Sequence, residues 1–534
     1  MGIFMRLIDY TEDEKLHGYS LFPTTLVLLF LGIFLLVRKE WSVHSSTKLP
    51  IVGIELPGYF GLVKARLKFV SNGFHIVKNG YYKYRGRNFV VTTHGYDKII
   101  LTHNQVKELS SASDDIISSQ HALTETMMGP YTGLDRFVGT GYLEAAVRVK
   151  LTQNLGTIKE AILEETRFAL GAEMPEFTTD EWRSVEIFAP ILRVVARMSS
   201  RVFVGLPLCR NEDWLTVSMT FTGDVFLTLA KLTSIPKPIR PFYAWITSST
   251  KLINSHRKKA QILLGPVIQG RLEEERLAEK NGTVYKKPND MIQWFIDLVE
   301  PHHKTTESLS ELQLLAILAS IHTTSLSFLN TLFDLAAHPE CVQPIREEIE
   351  SVISENNGVL DRATMRKMKK TDSFFKEAMR ARIGLFSFNR KVLKSVTLSD
   401  GTCLPKGALI AAPTSMFSTD PEIVEDPETF DGFRWYKKSL EADGSRSATS
   451  NINWATTSSK DLTFGHGKHA CPGRYFATEE MKMILTFIIL QYDVKYPEGQ
   501  SRPASIDHGE FSYPDTTKQL LFKKLPGPKK FSFL

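Results

Sequence analysis

A long apolar stretch without any charged residue lies near the start of the chain. Residues Leu21–Val37 form this stretch, and Arg38, Lys39 and Trp41 follow it directly. At about 1.5 Å per residue, these 17 residues span roughly 25 Å, close to the ~30 Å hydrocarbon core of a bilayer. The pattern predicts one transmembrane helix over about residues 20–38.

The alternative for this segment is a cleaved signal peptide, which begins with basic residues and ends at a small-residue cleavage site. Residues 1–18 instead carry four acidic residues against Arg6 and Lys15, and no such site follows them. The basic residues stand after the apolar stretch, so the positive-inside rule places the rest of the chain in the cytosol. The sequence therefore favours an uncleaved single-pass anchor.

After a Pro/Gly hinge at Lys48–Gly53, the pattern becomes that of a folded body. Apolar residues recur with helical spacing in three segments: Glu160–Leu170, Leu309–Ala337 and Val342–Ile353. Short β-branched segments predict strands at Phe89–Thr92 and Val392–Leu398. We predict a mainly α fold with small β-sheets, in which residues 1–45 are tail, anchor and hinge and residues 46–534 form one domain.

Composition narrows the class of protein without deciding it. Apolar residues make up 43% of the chain and charged residues 23%, as in a globular protein with a full core. The net charge of +6 is scattered, and no basic run predicts nucleic-acid binding. The four cysteines (Cys209, Cys341, Cys403 and Cys471) are too few for a disulfide framework in a chain of this length, which indicates a reducing compartment.

One of these cysteines stands in a glycine-rich segment, Phe464–Arg474, with an apolar helical run directly after it. A thiolate just before a helix N-terminus is stabilised by backbone N–H groups and by the helix dipole. Glycines at 465, 467 and 473 let the backbone approach a flat cofactor closely. Cys471 is therefore predicted to be an anionic metal ligand.

A zinc site and a phosphate-binding loop are the two alternatives for this segment. A zinc site needs about four ligands at regular spacing, and only His466, His469 and Cys471 are near. A phosphate-binding loop would need glycine at 462 and Ser or Thr at 469, where the chain has Leu462 and His469. Neither pattern is met.

The spacing of Phe464, Gly467, His469, Cys471 and Gly473 resembles the haem-binding loop of the cytochrome P450 superfamily. The resemblance implies a haem b whose iron is bound by the Cys471 thiolate, a ligand that favours O–O cleavage. It covers almost the whole of 46–534, which would then be the catalytic domain of the P450 fold.

Other segments resemble further marks of this family in the same order. Glu377 and Arg380 match its E-x-x-R motif, and Pro427–Trp435 resembles the segment whose arginine, here Arg434, joins them in a charge triad. Glu377 and Arg380 are one helical turn apart, so they can pair on one face. The implied role of this triad is structural.

Ala319–Thr324, inside the apolar helix, resembles the stretch in which the family handles oxygen and protons. The resemblance implies that Thr323 relays protons. Two residues depart from the pattern: Ser320 replaces a glycine, and His322 replaces the usual acid. Because histidine exchanges protons near neutral pH, His322 is a second candidate for the relay; the structural alternative is a buried polar kink.

A buried haem also needs cations for its two propionates. By resemblance, these are His469 and Arg390, with Arg148 or Lys150 as a third partner. The segment after Arg380 lacks the proline common in the family, so the loop lining the pocket is expected to take another path.

The implied reaction inserts one atom of O₂ into a lipophilic small molecule. The residues within these motifs resemble those of fungal enzymes of secondary metabolism, above all terpenoid oxidases. Electrons would come from a separate NADPH-dependent flavoprotein reductase, with Lys460, Lys468 and Arg474 as candidate contacts, and the anchor would lie in the endoplasmic reticulum. Apolar candidates for the pocket are Leu385, Phe386, Phe388, Phe511 and Tyr513. An O₂-independent haem-thiolate isomerase, dehydratase or cyclase, and a non-enzymatic haem-binding protein, stay open as alternatives.

Overall fold

Helices dominate the computed structural model, which describes residues 48–534 except 57, 234, 236, 238, 381, 442–451, 528 and 529. In chain order, the α-helices are α1 Gly58–Lys83, α2 His103–Leu109, α3 Ser119–Thr126, α4 Gly129–Thr132, α5 Tyr142–Ala145, α6 Thr152–Glu173, α7 Phe188–Phe203, α8 Glu212–Thr233, α9 Arg240–Ile246, α10 Ser248–Asn281, α11 Met291–Leu298, α12 Thr306–Ala337, α13 Val342–Glu355, α14 Arg362–Lys367, α15 Lys369–Arg380, α16 Thr414–Thr419, α17 Arg434–Glu441 and α18 Arg474–Gln491. A π-helical turn, Ala146–Leu151, joins α5 to α6, and short 3₁₀ turns include Gly467–His469.

The strands form one larger sheet and three small ones. They are β1 Ile51–Val52, β2 Phe89–Thr92, β3 Asp97–Ile100, β4 Ile117–Ser118, β5 Arg183–Glu186, β6 Ser387–Val392, β7 Val396–Thr397, β8 Cys403–Leu404, β9 Leu409–Ala412, β10 Tyr492–Lys495, β11 Ile506–His508, β12 Phe511–Tyr513 and β13 Gln519–Lys524. The larger sheet has the order β1-β2-β3-β9-β6-β4 and mixes parallel and antiparallel pairs. The others are β10-β13-β5, β11-β12 and β7-β8.

The main core lies among the helices, with α12 running through it. Helix α12 begins at a capped end, where the Thr305 hydroxyl accepts a hydrogen bond from the N–H of Ser308 at 3.2 Å. It then packs against α7, α8, α10, α15 and α18. Because neighbours surround it, α12 carries apolar residues on most of its circumference instead of one stripe.

The mainly α prediction with small sheets is confirmed. The three predicted helical segments lie inside α6, α12 and α13, and Phe89–Thr92 is β2. The prediction of one strand over Val392–Leu398 was wrong: β6 ends at Val392 and β7 spans Val396–Thr397. Between them, the N–H groups of Leu393 and Lys394 both donate to the carbonyl of Ile116, so the regular pairing of β6 with β4 ends there.

The predicted anchor at about 20–38 lies outside the described residues, and the division of the chain near residue 46 stays a prediction. Within the described part, α12 is the one helix long and apolar enough to cross a membrane. More than half of its most apolar window is buried inside the protein, as in a core helix.

Candidate functional site

Cys471 lies at the end of a tight turn that leads into α18. The Cys471 N–H donates to the carbonyl of Phe464 at 2.7 Å, which closes the turn, and α18 begins three residues later. The Phe464 ring packs against Trp454, with ring centroids 4.9 Å apart. Gly473 is the N-cap of α18, so the free N–H groups of this helix point back toward the cysteine.

The thiol of Cys471 faces an internal space. Its side chain is accessible, yet protein surrounds it so closely that burial raises the pKa of the thiol. The N–H groups of Gly473 and Arg474 donate hydrogen bonds to the sulfur and, with the charge of Arg474, oppose that rise. A metal cation deprotonates a coordinating thiol outright, so this sulfur is prepared for ligation rather than for reaction as a free thiolate.

The segment after α2 contacts the turn that contains Cys471, here called the cysteine turn (Phe464–Cys471), and holds it in place. The Lys468 N–H donates to the carbonyl of Ser110 at 2.9 Å, and Asp114 pairs with both Lys468 and His469. Gly467 has φ of +72°, and a Cβ there would lie 2.2 Å from the Ser110 carbonyl oxygen. Glycine at 467 is therefore required both by the backbone conformation and by this contact.

Three predicted cations come together beside this turn. His469 lies close enough to Arg390 for its pKa to be affected by the arginine, although burial is the larger cause that lowers the pKa of His469. Arg148, on the π-helical turn, donates to the carbonyl of Lys468 at 2.8 Å. The sequence predicted this set from resemblance; the tertiary structure brings it to one place.

Arg390 is a buried cation that calls for an anion. Its side chain is 5% exposed, and burial lowers its pKa to about 10. Its guanidinium donates to the carbonyl of Asn389 at 2.9 Å and stacks on Phe388 at 4.1 Å. Within the described residues, no carboxylate lies within ion-pair distance of it, and Asp114 acts only through space. A buried arginine without a counter-charge fits a site for a carboxylate-bearing ligand.

The predicted charge triad is assembled. Arg380 holds both oxygens of Glu377 at 2.9 and 3.0 Å, and Arg434 Nε lies 3.2 Å from each of them. Glu377 is fully buried, and Arg434 also donates to the carbonyls of Asp426 and Thr429. The triad thus ties α15 to the segment before α17, which is the structural role that the resemblance implied.

On α12, Ala319 and Thr323 are accessible although most of the helix is buried. They are one turn apart, so they form a single accessible stripe on α12. The Thr323 hydroxyl donates to the carbonyl of Ala319 or of Ser320, at 2.8 and 3.0 Å. The Thr323 hydroxyl is thus bonded back to its own helix, which is continuous here.

His322 points to a different neighbour. Its Nε2 lies 2.7 Å from the carbonyl oxygen of Met219 on α8, and burial lowers its pKa, so a neutral ring donates this hydrogen bond. The contact joins α12 to α8. A role for His322 in proton delivery stays a prediction.

Ser110 and Asp114 could not be found from the sequence, because both are distant from the cysteine turn along the chain and belong to no motif. Leu385 and Phe388 were predicted to line the pocket, whereas both are packed in apolar clusters of the core. Phe388 has φ of 53° at a β-bulge in β6, and this irregularity turns its side chain inward. Phe511 is partly accessible and contacts Phe226 edge-on, with centroids 5.9 Å apart.

Comparison with known proteins decides the family. The cytochrome P450 family profile matches residues 62–522. The chain belongs to the cytochrome P450 family. A cytochrome P450 monooxygenase of Emericella nidulans is 36% identical over 499 residues, which cover 93% of this chain and 92% of the relative. An ent-kaurene oxidase of Fusarium fujikuroi is 32% identical over 490 residues, covering 90% and 89%.

The fold is that of solved P450 structures. Retinoic acid bound cyanobacterial CYP120A1 superposes with a TM-score of 0.65 at 18% identity, covering 90% of this chain and all of that one. The chain is thus a P450 monooxygenase, and the cofactor of this family is haem with an axial cysteine thiolate. The accessible Cys471 thiol, the unpaired Arg390 and the glycine at 467 fit this group.

Proposed function

We propose that this P450 is a membrane-anchored haem-thiolate monooxygenase that oxidises a lipophilic, terpenoid-type secondary metabolite. The observation that carries the proposal is the accessible Cys471 thiol inside the protein, with Arg390, His469 and Arg148 beside its turn. Cys471 would bind the haem iron through its sulfur, and the three cations, of which Arg390 is the most deeply buried, would hold the propionates. Bound haem supplies the O₂ activation and oxidising power that no side chain has.

The residues of the chain then have separate tasks. The N–H groups of Gly473 and Arg474 share the negative charge of the Cys471 sulfur, which keeps it anionic while limiting its electron donation. The Thr323 hydroxyl can give up its hydrogen bond to a helix carbonyl and turn toward the space at Cys471. In that position it can pass protons to the site. Phe226 and Phe511 offer apolar surface for a lipophilic substrate.

The ligand assignment is tested by the reduced carbon monoxide difference spectrum. Cys471→Ser should abolish the Soret band at the thiolate position. Cys403→Ser is the matched control, since Cys403 is an exposed cysteine on β8. An unchanged band in Cys471→Ser would overturn the proposal, and a band lost in both variants would mean that the substitution acts through folding.

The substrate class rests on the relatives. Ent-kaurene oxidases at 32% identity act on the terpenoid ent-kaurene, as their name states, and the similarity extends over most of both chains. Product profiling with a panel of terpenoid and non-terpenoid lipophiles, in the presence of an NADPH-dependent flavoprotein reductase, tests this class and the need for a separate reductase together. Turnover of polar substrates alone would contradict it.

Membrane attachment is supported by an apolar surface on the described part of the chain. On α9, Phe242 and Trp245 are 63% and 74% exposed, and on α1, Phe60 is 85% exposed. The two helices lie on one side of the molecule, because Arg66 of α1 and Arg240 of α9 both act on His94. Aromatic residues flanked by arginines are typical of surfaces that rest on a lipid interface.

Deleting residues 1–40 should leave a haem-loaded protein that still binds liposomes weakly. Phe242→Ser with Trp245→Ser should then remove the remaining binding. Loss of haem on deletion would contradict the anchor assignment, and a full-length protein that fractionates away from endoplasmic reticulum membranes would contradict the localisation.

A further inference from the structure

A cleft opens between α14 and the first three turns of α18, separate from the internal space that the Cys471 thiol faces. Its volume is about 370 Å³, within the range of about 300–1,000 Å³ that is usual for small-molecule sites. It is lined by Arg362, Met365, Arg366, Lys369, Asn453, Ala455, Thr456, Tyr475, Thr478, Glu479 and Lys482. Neither Cys471 nor Thr323 lines it, so the cleft is not part of the site described above.

The charges that line this cleft do not balance. Arg362 pairs with Glu479 at 2.8 Å, and the buried Lys482 pairs with Asp372 at 2.9 Å behind the wall. These two pairs leave Arg366 and Lys369. Among the described residues, neither of them has a hydrogen bond or an ion pair from its side chain, and Glu479 is the only carboxylate in the lining.

The remaining lining is polar and suited to an anion. Tyr475 brings a hydroxyl group and Asn453 brings an amide, whereas the Thr478 hydroxyl donates to the carbonyl of Arg474 at 2.7 Å. Burial raises the pKa of Glu479, and the neighbouring cations, Arg362 first among them, act in the opposite direction. Arg366 acts through space on Glu479, and Lys369 acts on the buried Asp372, which is already paired with Lys482. Two cations on adjacent helices that form no ion pair of their own, next to the Tyr475 hydroxyl, can recognise a phosphate or a carboxylate.

Lys468 and Arg474, which the sequence analysis predicted as contacts for the reductase, already have partners within the protein. Lys468 is paired with Asp114, and Arg474 donates to the carbonyls of Cys471 and Ala455. The Arg474 guanidinium also stacks on the ring of Tyr475, a residue of the cleft wall, at 4.5 Å. An anion in the cleft would therefore lie next to the residues that hold the cysteine turn.

We propose that the cleft between α14 and α18 is an anion-binding site that takes a phosphate- or carboxylate-bearing group, with Arg366 and Lys369 as its recognition residues. This assignment does not depend on the oxidised substrate or on Cys471. The anionic group could belong to a free small anion or to acidic side chains of the protein that delivers electrons. Competition between pyrophosphate and the reductase distinguishes the two.

The site is tested by calorimetric titration of the full-length, haem-loaded protein in detergent with pyrophosphate at constant ionic strength. Wild type should bind saturably with one site, and Arg366→Gln with Lys369→Gln should weaken binding by about tenfold or more. Lys258→Gln with Lys259→Gln is the matched control, because it removes two adjacent exposed lysines on the distant α10. A wild type without saturable binding, or equal binding by the Arg366/Lys369 variant, would overturn the proposal.

A spectrum of each variant shows that haem is retained, so that loss of binding is not loss of fold. Once binding is established, the rate of NADPH-driven haem reduction is measured against the concentration of reductase. If the Arg366/Lys369 variant needs several times more reductase and pyrophosphate competes, the anion belongs to the electron donor. If reduction is unchanged, the site serves a free anion.

Discussion

The most quantitative prediction concerns a buried carboxyl group that the catalytic site does not use. Glu480 on α18 is 1% exposed, and burial raises its pKa from 4.5 to about 8. One of its oxygens accepts a hydrogen bond from the Ser199 hydroxyl at 3.0 Å. The other has no partner among the described residues. Glu480 is therefore protonated in the folded protein at neutral pH.

The sign of its effect on stability follows from proton binding. Between pH 4.5 and 8, the folded state keeps the Glu480 proton and the unfolded state loses it, so rising pH favours unfolding. Each pKa unit corresponds to about 1.4 kcal/mol. The free energy of unfolding thus loses up to about 5 kcal/mol between pH 4.5 and 8 through this one group, with no further loss above pH 8.

Glu480→Gln removes this dependence, since the amide does not ionise. Denaturant unfolding, followed by the haem and by far-UV circular dichroism, measures the difference in free energy of unfolding between variant and wild type from about pH 5 upward. The advantage of the variant should grow by about 4 kcal/mol toward pH 8. A pH-independent offset from the amide hydrogens, about 1–3 kcal/mol, does not affect this slope. Glu428→Gln, an exposed carboxylate, should show no such growth. A difference between Glu480→Gln and wild type that is flat with pH would refute the reasoning.

Three further predictions concern the site. Gly467→Ala should lower haem content and stability by more than about 2 kcal/mol through its clash with Ser110, whereas Gly86→Ala, with the same φ of +72° and no atom within 4 Å, should cost less; equal costs would show that backbone strain alone matters. If Arg390 holds a propionate as proposed, Arg390→Gln should speed haem loss by about ten- to hundredfold, and transfer of haem to an acceptor protein measures this. An unchanged rate would exclude Arg390 from the haem site. Thr323→Ala should divert electrons from product to peroxide at a similar NADPH consumption; unaltered coupling would favour an O₂-independent reaction.

Much of the fold and the chemistry could be predicted from local patterns. The helical spacing of Leu309–Ala337 is visible in the sequence because a helix repeats every 3.6 residues, and the structure has α12 there. The same holds for Cys471 before α18 and for Glu377 and Arg380, one turn apart on α15. These features depend on residues that are neighbours in the chain, so a single sequence carries them.

The tertiary structure alone decided what those residues meet. Ser110 and Asp114 reach the cysteine turn, and Arg390 comes beside His469, across separations that no periodic pattern records. Burial too was decided only by the tertiary structure. Leu385 lies in the core and not in the pocket, and Glu480 is 1% exposed. The physical reason is that desolvation and charge balance depend on everything packed around a group. The sequence by itself determined which residues could bind a cofactor, and the packing of distant segments determined their charge, their access and their partners.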